Sequence, residues 1–288
     1  MIYIIIGIVG ILAFLIYRAY KNTKDLQINK IKIDDNENSG DPSLSILHLS
    51  DLHLENISIR PAELADKIKN EKPDIIALTG DFLDRKRTIP KLSPYLQVLQ
   101  DMKPKHGIYA VFGNHDYVLK GDDFLELKNL LLAYSIHVLQ NESRIIKINN
   151  QVINIIGVDD YSTNKSDLAA AYKQTIPGMN IVLTHDPTVV LNMNNYKYDY
   201  LLAGHFHGGQ ICYPKAYHLV KMGELARKNV IKGLHMHNSS PFYISEGLGQ
   251  TGFNIRVGSR PEITFHDVAV SATNTNNNLQ DVTYAKNA

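Results

Sequence analysis

Short apolar runs alternate with helix-like polar segments along most of the chain. Strands rich in Ile, Val, Leu and Tyr are predicted at residues 44–49, 74–79, 107–112, 144–149, 152–158, 180–184, 199–203, 242–245 and 262–268. Helical spacing occurs between them, at 61–70, 92–101 and 122–134. Because several strands are continuously apolar, both of their faces should be buried. The pattern predicts an α/β fold in which helices cover the sheets.

The N-terminal segment is the most strongly biased part of the chain. It carries no charge from Ile2 to Tyr17 and is followed by Arg18, Lys21 and Lys24. As a helix it would span about 24 Å, against roughly 30 Å of membrane hydrocarbon. Basic residues that follow the apolar run, without a small-x-small cleavage site, favour an uncleaved anchor at 1–18 over a signal peptide. The positive-inside rule then places the rest of the chain on the cytoplasmic side of the cell membrane.

Composition divides the remaining chain into three parts. Residues 19–43 are polar and charged, which predicts a linker. The folded domain is predicted at 44–270, and the Asn-rich residues 271–288 are predicted to be a disordered tail.

Global composition excludes several classes of protein. The 30 Lys and Arg nearly balance the 29 Asp and Glu, so net charge gives no reason to expect a nucleic-acid partner. Cys212 is the only cysteine, which excludes an intrachain disulfide. No Walker A phosphate loop and no internal repeat are present.

Candidate metal ligands follow five of the predicted strands. In chain order they are Asp51 and His53, Asp81, Asn114, His185, and the pair His205 and His207. Each alone would more often be a turn residue or a buried histidine. As an ordered set they predict one site, since ligands of α/β sheets bind beyond the carboxyl ends of parallel strands.

The ligand types narrow the chemistry. Carboxylate, amide and imidazole donors without a thiolate suit divalent Mn, Fe or Zn. Seven donors are too many for one tetrahedral ion. Two ions that share a carboxylate, about 3.5–4 Å apart, would use them all and would activate water for attack on phosphorus.

These motifs resemble the calcineurin-like metallophosphoesterase superfamily over about residues 44–268. The resemblance is carried by Asp51-x-His53, Gly80-Asp81-Phe-Leu-Asp84-Arg85, Gly113-Asn-His-Asp116, His185 and Gly204-His-Phe-His207. Later motifs resemble a bacterial subgroup of membrane-associated phosphodiesterases, some of which cleave the pyrophosphate of UDP-2,3-diacylglucosamine: Gly208-Gly-Gln210, Gly247-Leu-Gly249 and Arg260-Pro-Glu262. The resemblance implies two mixed sheets packed between helices, a four-layer sandwich.

The resemblance also implies individual roles. The first ion would be bound by Asp51, His53, Asp81 and His207, and the second by Asp81, Asn114, His185 and His205, with Asp81 as the bridge. His115 would donate a hydrogen bond or proton to the phosphoryl or leaving oxygen, and Asp116 would orient its imidazole. Phe206 should point away from the ions. Phe253-Asn254 departs from the Pro-containing stretch common in the subgroup, which puts the substrate pocket in doubt.

Some other features favour simpler interpretations. The spacing Gly247-x-Gly249-x-x-Gly252 is not a dinucleotide site, because an extended stretch follows where a helix is required. His235 and His237 are expected in a loop, exposed or lining a pocket. His48 should pack within or under the sheet, and Cys212 should be a buried small hydrophobe.

Residues 211–240 hold five basic side chains against the single acid Glu224. This segment is either a solvated basic surface or a lid that rests on anionic lipid. In the lid hypothesis the lipid contacts would come from Leu219, Val220, Met222, Leu225, Val230, Ile231 and Leu234.

The leading functional hypothesis is hydrolysis of a phosphodiester or pyrophosphate, with a lipid-linked nucleotide as one candidate substrate and the membrane as a partner. The alternatives are a phosphomonoesterase and a non-catalytic metal-binding scaffold. No nucleic-acid partner is expected, because the sequence shows no strip of basic and aromatic residues suited to base stacking.

Overall fold

A computed structural model describes residues 1–33 and 43–270. Within these ranges, two six-stranded mixed sheets pack face to face with helices outside them. The predicted four-layer architecture is therefore confirmed. The predicted tail at 271–288 and the linker residues 34–42 lie outside the described residues.

The first sheet has the strand order β1-β12-β2-β3-β4-β5. Its strands are β1 (Gln27–Ile33), β2 (Ser43–Leu49), β3 (Ile75–Thr79), β4 (Ile108–Val111), β5 (Ile136–Val138) and β12 (Glu262–Ala269). Strands β2 to β5 run parallel to one another, while β12 is antiparallel to β2. The carboxyl ends of β2, β3 and β4 therefore open at one edge of the sheet.

The second sheet has the strand order β10-β11-β9-β8-β7-β6. Its strands are β6 (Glu142–Ile148), β7 (Gln151–Gly157), β8 (Met179–Leu183), β9 (Tyr200–Ala203), β10 (Gly233–His237) and β11 (Ser240–Ile244). Strands β7, β8, β9 and β11 are parallel, and antiparallel β6 and β10 close the two edges.

Six α-helices lie in the described residues. They are α1 (Ile2–Asn22), α2 (Pro61–Ile68), α3 (Ile89–Asp101), α4 (Asp122–Ala133), α5 (Leu168–Tyr172) and α6 (Glu224–Arg227). Short 3-10 turns occur at Lys86–Thr88, Asp116–Val118, Pro187–Asn192, His207–Gly209 and Tyr217–Met222. Helices α2 to α4 cover the first sheet, and α5 and α6 pack against the second.

Local chemistry explains where two of these helices begin. At α2, Pro61 occupies the first turn and the Glu63 carboxylate accepts a 3.0 Å hydrogen bond from the Arg60 amide. Helix α3 begins at Ile89, three residues before the predicted start at 92. Pro90 is compatible with this start, because a first-turn residue needs no amide hydrogen.

Strand β1 corrects one prediction. Residues 27–33 fall in the predicted linker, yet they pair in parallel with β12 from Gln27 opposite Glu262 to Ile33 opposite Val268. Ile31 is buried, whereas Lys30 and Lys32 lie on this edge strand. Lysines are common on edge strands because they oppose pairing with other chains, so the segment is polar in sequence although it is part of the sheet.

The two sheets share a dry interior. Leu44, Ile46 and Ile75 of the first sheet pack in one cluster with Ile155 and Ile181 of the second, all fully buried. Burial of each such side chain contributes about 1.5–3 kcal/mol. This contact fixes the two sheets together, so the loops after β2, β3 and β4 meet the loops after β8 and β9.

Helix α1 has a different environment from the others. Its residues Ile2 to Tyr17 are exposed, and it is the one helix within the described ranges that is long and apolar enough to cross a membrane by length and composition. Ala19, near its end, is buried against the domain.

Candidate metal centre

The seven predicted ligands all lie where the loops of the two sheets meet. Loops after β2, β3 and β4 carry Asp51, His53, Asp81 and Asn114, and loops after β8 and β9 carry His185, His205 and His207. Five of them have a left-handed backbone: Asp51, His53, Asp81, His205 and His207. Such φ values are uncommon outside glycine and cluster at functional sites.

The pair His205 and His207 lies in the loop that follows β9. Strand β9 ends at Ala203, so neither histidine extends a strand. Their side chains converge because both residues have a positive φ, of 77° and 51°. Phe206 between them is buried in the core outside the second sheet, and the residue is also among those that line the cavity of the site.

One group of donors surrounds Asp51. Ligand atoms of Asp51, His53 and His207 lie within 4.8 Å of one another. His207 Nε2 is 3.3 Å from Asp51 Oδ1. His53 Nε2 lies 3.4 Å from Asp81 Oδ2, which links this group to its neighbour.

A second group of donors surrounds Asp81. Its carboxylate, with that of Asp51 and the imidazole of His185, forms another set within 4.8 Å. His185 Nε2 is 3.1 Å from Asp81 Oδ2, the same oxygen that faces His53. His205 Nδ1 lies 3.1 Å from His185 Nε2. Asp81 thus lies between the two groups.

Several observations show that these residues fit divalent cations. His53 Nε2 and Asn114 Oδ1 are buried and lack a hydrogen-bond partner among the described residues, although buried polar atoms are normally paired. Burial opposes charge on His53, but the carboxylates of Asp81 and Asp84 raise its pKa to about 10. The acidic surroundings therefore favour a positive charge at this position, which a metal ion would supply.

Two glycines leave the space that the carboxylates occupy. A Cβ on Gly113 would overlap Asp81 Oδ1, and a Cβ on Gly204 would overlap Asp51 Oδ2 and Ser50 Oγ. Both glycines precede predicted ligands in the chain. Any larger residue would displace a carboxylate.

Backbone carbonyls fix the orientation of two imidazoles. His185 Nδ1 is 2.7 Å from Thr79 O, and His207 Nδ1 is 3.3 Å from Gly249 O. In the neutral ring, a hydrogen bond donated by Nδ1 leaves Nε2 unprotonated toward the site, the form that binds metal. Burial lowers the pKa of His207 to about 3, against the opposing charge of Asp51, so its ring is neutral.

The predicted partnership of His115 with Asp116 is not what the structure shows. The buried Asp116 carboxylate accepts hydrogen bonds from the backbone amides of Asp81, Phe82 and Gly113. Burial, and then the charge of Asp81, raise the Asp116 pKa to about 7. Asp116 therefore holds the loops after β3 and β4 together. The two residues are adjacent in sequence, but their side chains diverge.

Asp84 contacts His115 instead. His115 Nδ1 lies 3.5 Å from Asp84 Oδ2, and His53 Nδ1 lies 3.7 Å from Asp84 Oδ1. Although burial opposes charge on His115, Asp84 raises its pKa. Asp84 belongs to one of the sequence motifs, but no role was predicted for it. Its position three residues after Asp81, at the end of the same loop, was the available signal.

Arg256 is a second residue that the sequence motifs did not indicate. Its side chain is fully buried and donates to the carbonyls of Glu246, Arg260, Gly247 and Gly249. The loop that it holds packs on the site, because a Cβ on Gly247 would meet Asp51 and one on Gly249 would overlap Leu52 O. These glycines are required because the loop packs closely on the site. Their spacing therefore has a structural explanation that does not involve a dinucleotide, in agreement with the sequence analysis.

A cavity of about 350 Å³ leads away from the donors. Asp81, Asn114, His115 and the two histidines after β9 line its inner part. The apolar residues Ile211, Leu219, Met222 and Phe253, with Gln210 and Thr251, line the rest, and the exposed Ile211 and Phe253 mark its outer part. A polar group at one end and an apolar group at the other could therefore be bound together.

The basic segment 211–240 contains both buried and exposed apolar residues. Leu219, Leu225, Ile231 and Leu234 are buried in the core and cannot lie on lipid as the lid hypothesis required. Val220 is exposed, as are the aromatic residues Tyr213 and Tyr217.

Three remaining predictions can be compared with the structure. His48 is buried with Nε2 2.8 Å from Thr79 Oγ1, as predicted. The prediction of a loop at His235 and His237 is wrong, since both lie in β10, where Leu234 and Met236 alternate with them as in a strand. His235 Nε2 is 2.9 Å from Lys232 O. Cys212 is only partly buried.

Comparison with known proteins gives one family and several relatives. The profile of the family described as "Calcineurin-like phosphoesterase" matches residues 44–209. The uncharacterized metallophosphoesterase YkoQ of Bacillus subtilis (strain 168) is 60% identical over 256 residues, which cover 88% of this chain and 94% of that protein. The phosphodiesterase YaeI of Escherichia coli (strain K12) is 28% identical over 228 residues, which cover 76% and 80%.

Among solved structures, the protein TT1561 of Thermus thermophilus aligns with a TM-score of 0.48 and 12% identity, covering 72% of this chain and 91% of that one. The range matched by the family profile contains all seven candidate metal ligands.

Proposed function

Since the chain belongs to the calcineurin-like phosphoesterase family and is a metal-dependent phosphoesterase, we propose that it hydrolyses a phosphodiester or pyrophosphate bond with two divalent ions. The observation that carries this proposal is the position of one oxygen, Asp81 Oδ2. It lies 3.4 Å from His53 Nε2 and 3.1 Å from His185 Nε2, which belong to different donor groups. A carboxylate in that position can bridge two ions.

The donor groups indicate how the ions would be held. Asp51, His53, Asp81 and His207 would bind the first ion. Asp81, Asn114, His185 and His205 would bind the second. Bound divalent ions polarise phosphoryl oxygens and lower the pKa of water. Mn, Fe and Zn all suit this mixture of oxygen and nitrogen donors.

In this proposal, His115 donates the proton that the leaving oxygen requires. His115 borders the cavity, and its Nδ1 faces Asp84, so Nε2 is the ring nitrogen available to the substrate. A proton on Nε2 can be donated to the oxygen that leaves phosphorus. Asp84 keeps the imidazole oriented and favours its protonated form. Asp116 is not a proton donor in this proposal. Its carboxylate accepts hydrogen bonds from the backbone amides of Asp81, Phe82 and Gly113, and so holds the two loops that carry Asp81 and Asn114.

The cavity also bears on the substrate. Its outer part is apolar, and α1 is a candidate anchor on the same chain. A lipid-linked nucleotide, with phosphate groups and an apolar chain, would match both ends of the cavity. We therefore extend the proposal to a membrane-associated substrate, with residues 1–18 as the anchor and the catalytic domain on the cytoplasmic side.

Hydrolysis of model esters tests the reaction. The full-length protein in detergent is stripped of metal, reloaded with Mn, Fe or Zn, and assayed on bis-p-nitrophenyl phosphate and on p-nitrophenyl phosphate. We expect metal-dependent hydrolysis of the diester to exceed that of the monoester. Asp81→Asn should lose both bound metal and activity. The exposed Asp66→Asn is the matched control and should keep both.

Full turnover by Asp81→Asn, or no metal bound by the reloaded protein, would overturn the two-ion proposal. Faster hydrolysis of the monoester would overturn the assignment to diesters. A panel of lipid-linked nucleotides, with products separated by mass, then tests the substrate class. Equal rates on lipid-linked and lipid-free nucleotides would contradict the membrane-associated substrate.

A further inference from the structure

The end of α1 is docked on the catalytic domain. The Arg256 amide donates a 2.9 Å hydrogen bond to Ala19 O, and Asn22 Nδ2 donates a 2.8 Å hydrogen bond to Arg256 O. Thr23, which follows the helix, is fully buried with Oγ1 2.8 Å from Ser58 Oγ. The exposed apolar part of α1 therefore leaves the domain from a fixed point, with no flexible linker before that point.

This point lies beside the mouth of the cavity. Phe253, three residues before Arg256, lines the cavity and is 79% exposed. The neighbouring segment is held to the same loop, because Gln210 Nε2 donates to Phe253 O and the Cys212 amide donates to Val257 O. Residues 210–212 are thus hydrogen-bonded to residues 253–257, the stretch that contains Arg256 and holds α1.

Exposed apolar and aromatic side chains lie on the two segments that line this mouth. We define the mouth surface as the cavity-lining residues Ile211 and Phe253 together with Tyr213, Tyr217 and Val220, which are exposed on the same segment as the lining residues 211 and 218–222. Tyr213 is 83% exposed and Tyr217 is 64% exposed. A cluster of exposed apolar side chains is uncommon on a surface that contacts only water. Tyrosine and phenylalanine are favoured at the boundary between water and lipid.

Charge supports the same partner. Lys215 and Lys221 lie in residues 211–221, which hold most of the mouth surface. Arg18, Lys21 and Lys24 lie at the end of α1. Basic side chains next to a membrane helix are attracted to anionic headgroups. Aromatic and basic residues together match an anionic lipid surface better than they match a second, equally basic copy of this chain.

We propose that the mouth surface lies on the membrane from which α1 emerges, so that the cavity opens toward the lipid headgroups. The inference deepens the proposed function and rests on its membrane anchor. A phosphate group in the headgroup layer then enters the cavity directly, while the apolar part of the same molecule stays near the bilayer. Because α1 is docked and not tethered, the domain keeps this orientation.

Tryptophan fluorescence can test the position of the mouth surface, since the chain contains no tryptophan. Full-length Phe253→Trp and Tyr217→Trp are each reconstituted into vesicles of phosphatidylcholine and phosphatidylglycerol, with and without bromine on the acyl chains. Ile145→Trp is the matched control. Ile145 is exposed on β6, at the edge of the second sheet opposite β10.

Brominated lipid should quench Phe253→Trp and Tyr217→Trp by about twofold, because an interfacial side chain lies roughly 5–10 Å into the headgroup and acyl boundary. Ile145→Trp should keep its intensity. The inference would be overturned if bromine changed the intensity of none of the three variants. A blue-shifted emission that bromine does not quench would also overturn it, since it would indicate burial against another copy of the chain.

Hydrolysis of bis-p-nitrophenyl phosphate by unsubstituted protein in the same vesicles separates the two proposals. Metal-dependent hydrolysis without quenching of the variants would overturn the proposal about the mouth surface and support the proposed reaction. Quenching without hydrolysis would overturn the proposed reaction and support the proposal about the mouth surface.

Discussion

His115 Nδ1 lies 3.5 Å from Asp84 Oδ2, and the other oxygen of the same carboxylate lies 3.7 Å from His53 Nδ1. Asp84 is therefore next to both the proposed proton donor and a proposed metal ligand. It contacts each ring through Nδ1, the nitrogen that faces away from the substrate in our proposal. Asp84 should act through both histidines as a positioning residue.

His115→Ala should lower kcat by about 10²–10⁴-fold, the usual contribution of a positioned proton donor. Metal content should stay unchanged, because His115 is not among the proposed ligands. The measurement is kcat on bis-p-nitrophenyl phosphate beside metal analysis of the same protein. Loss of both ions would instead make His115 a structural part of the metal cage.

Asp84→Asn should have a smaller effect, about 10–100-fold on kcat or metal affinity, as expected when a group that orients a catalytic side chain is lost. Asp101→Asn, at the end of α3 with its partner Gln97, is the control and should be silent. Asp84→Glu should recover part of the rate. An Asp84→Asn protein with the full kcat and KM would show that the carboxylate does not position His115.

Gly204→Ala should remove metal binding, because its Cβ would overlap the Asp51 carboxylate and Ser50 Oγ. Overpacking of this kind lowers the free energy of unfolding by about 1–3 kcal/mol. Gly10→Ala in α1 is the matched control, since a Cβ there has no neighbour within 4 Å. Metal content and urea unfolding check the prediction. Equal metal content in the two variants would contradict it.

Arg256→Lys should lower the free energy of unfolding by at least about 3 kcal/mol. The buried guanidinium serves four carbonyls, at 2.7–3.0 Å, and an ammonium with three donors in another geometry cannot replace it. The exposed Arg60→Lys should behave as the unsubstituted protein does. Urea unfolding of the full chain in detergent gives the values, and equal stability of Arg256→Lys and Arg60→Lys would contradict the assignment.

Stability should fall as the pH rises from about 5 to about 8. Burial, and then the charge of Glu246, raise the pKa of Glu262 to about 7. Between its unfolded pKa and that value the folded state binds more protons, so stability decreases with pH, by up to about 3 kcal/mol. Glu262→Gln should flatten this dependence in thermal unfolding. An unchanged slope would show that Glu262 is not the group responsible.

The fold, and the convergence of the seven candidate ligands at one place, could be predicted from the sequence because both depend on local pattern. Apolar runs mark buried strands, and polar residues directly after them mark strand ends that face one crevice. Other features depend on contacts between distant residues. Arg256 resembles any surface arginine in sequence, and its burial becomes clear only when the carbonyls around it are known.

The partnership of His115 with Asp116, which the family resemblance implied, differs in the structure. Asp116 is adjacent to His115 in the chain, but the turn at Asp116–Val118 directs its carboxylate toward the loop after β3. The left-handed backbone of His205 and His207 could not be predicted either, because non-glycine residues adopt it only when surrounding structure imposes it.

The pairing of β1 with β12 has a practical consequence for anyone who prepares a soluble form of this protein. Cutting the chain at residue 42 would discard β1 and leave the backbone of β12 uncovered, which invites aggregation through a bare sheet edge. A start at Arg18 would remove the apolar segment and keep both β1 and the residues that dock near Arg256. Soluble preparations should therefore begin between Tyr17 and Ala19.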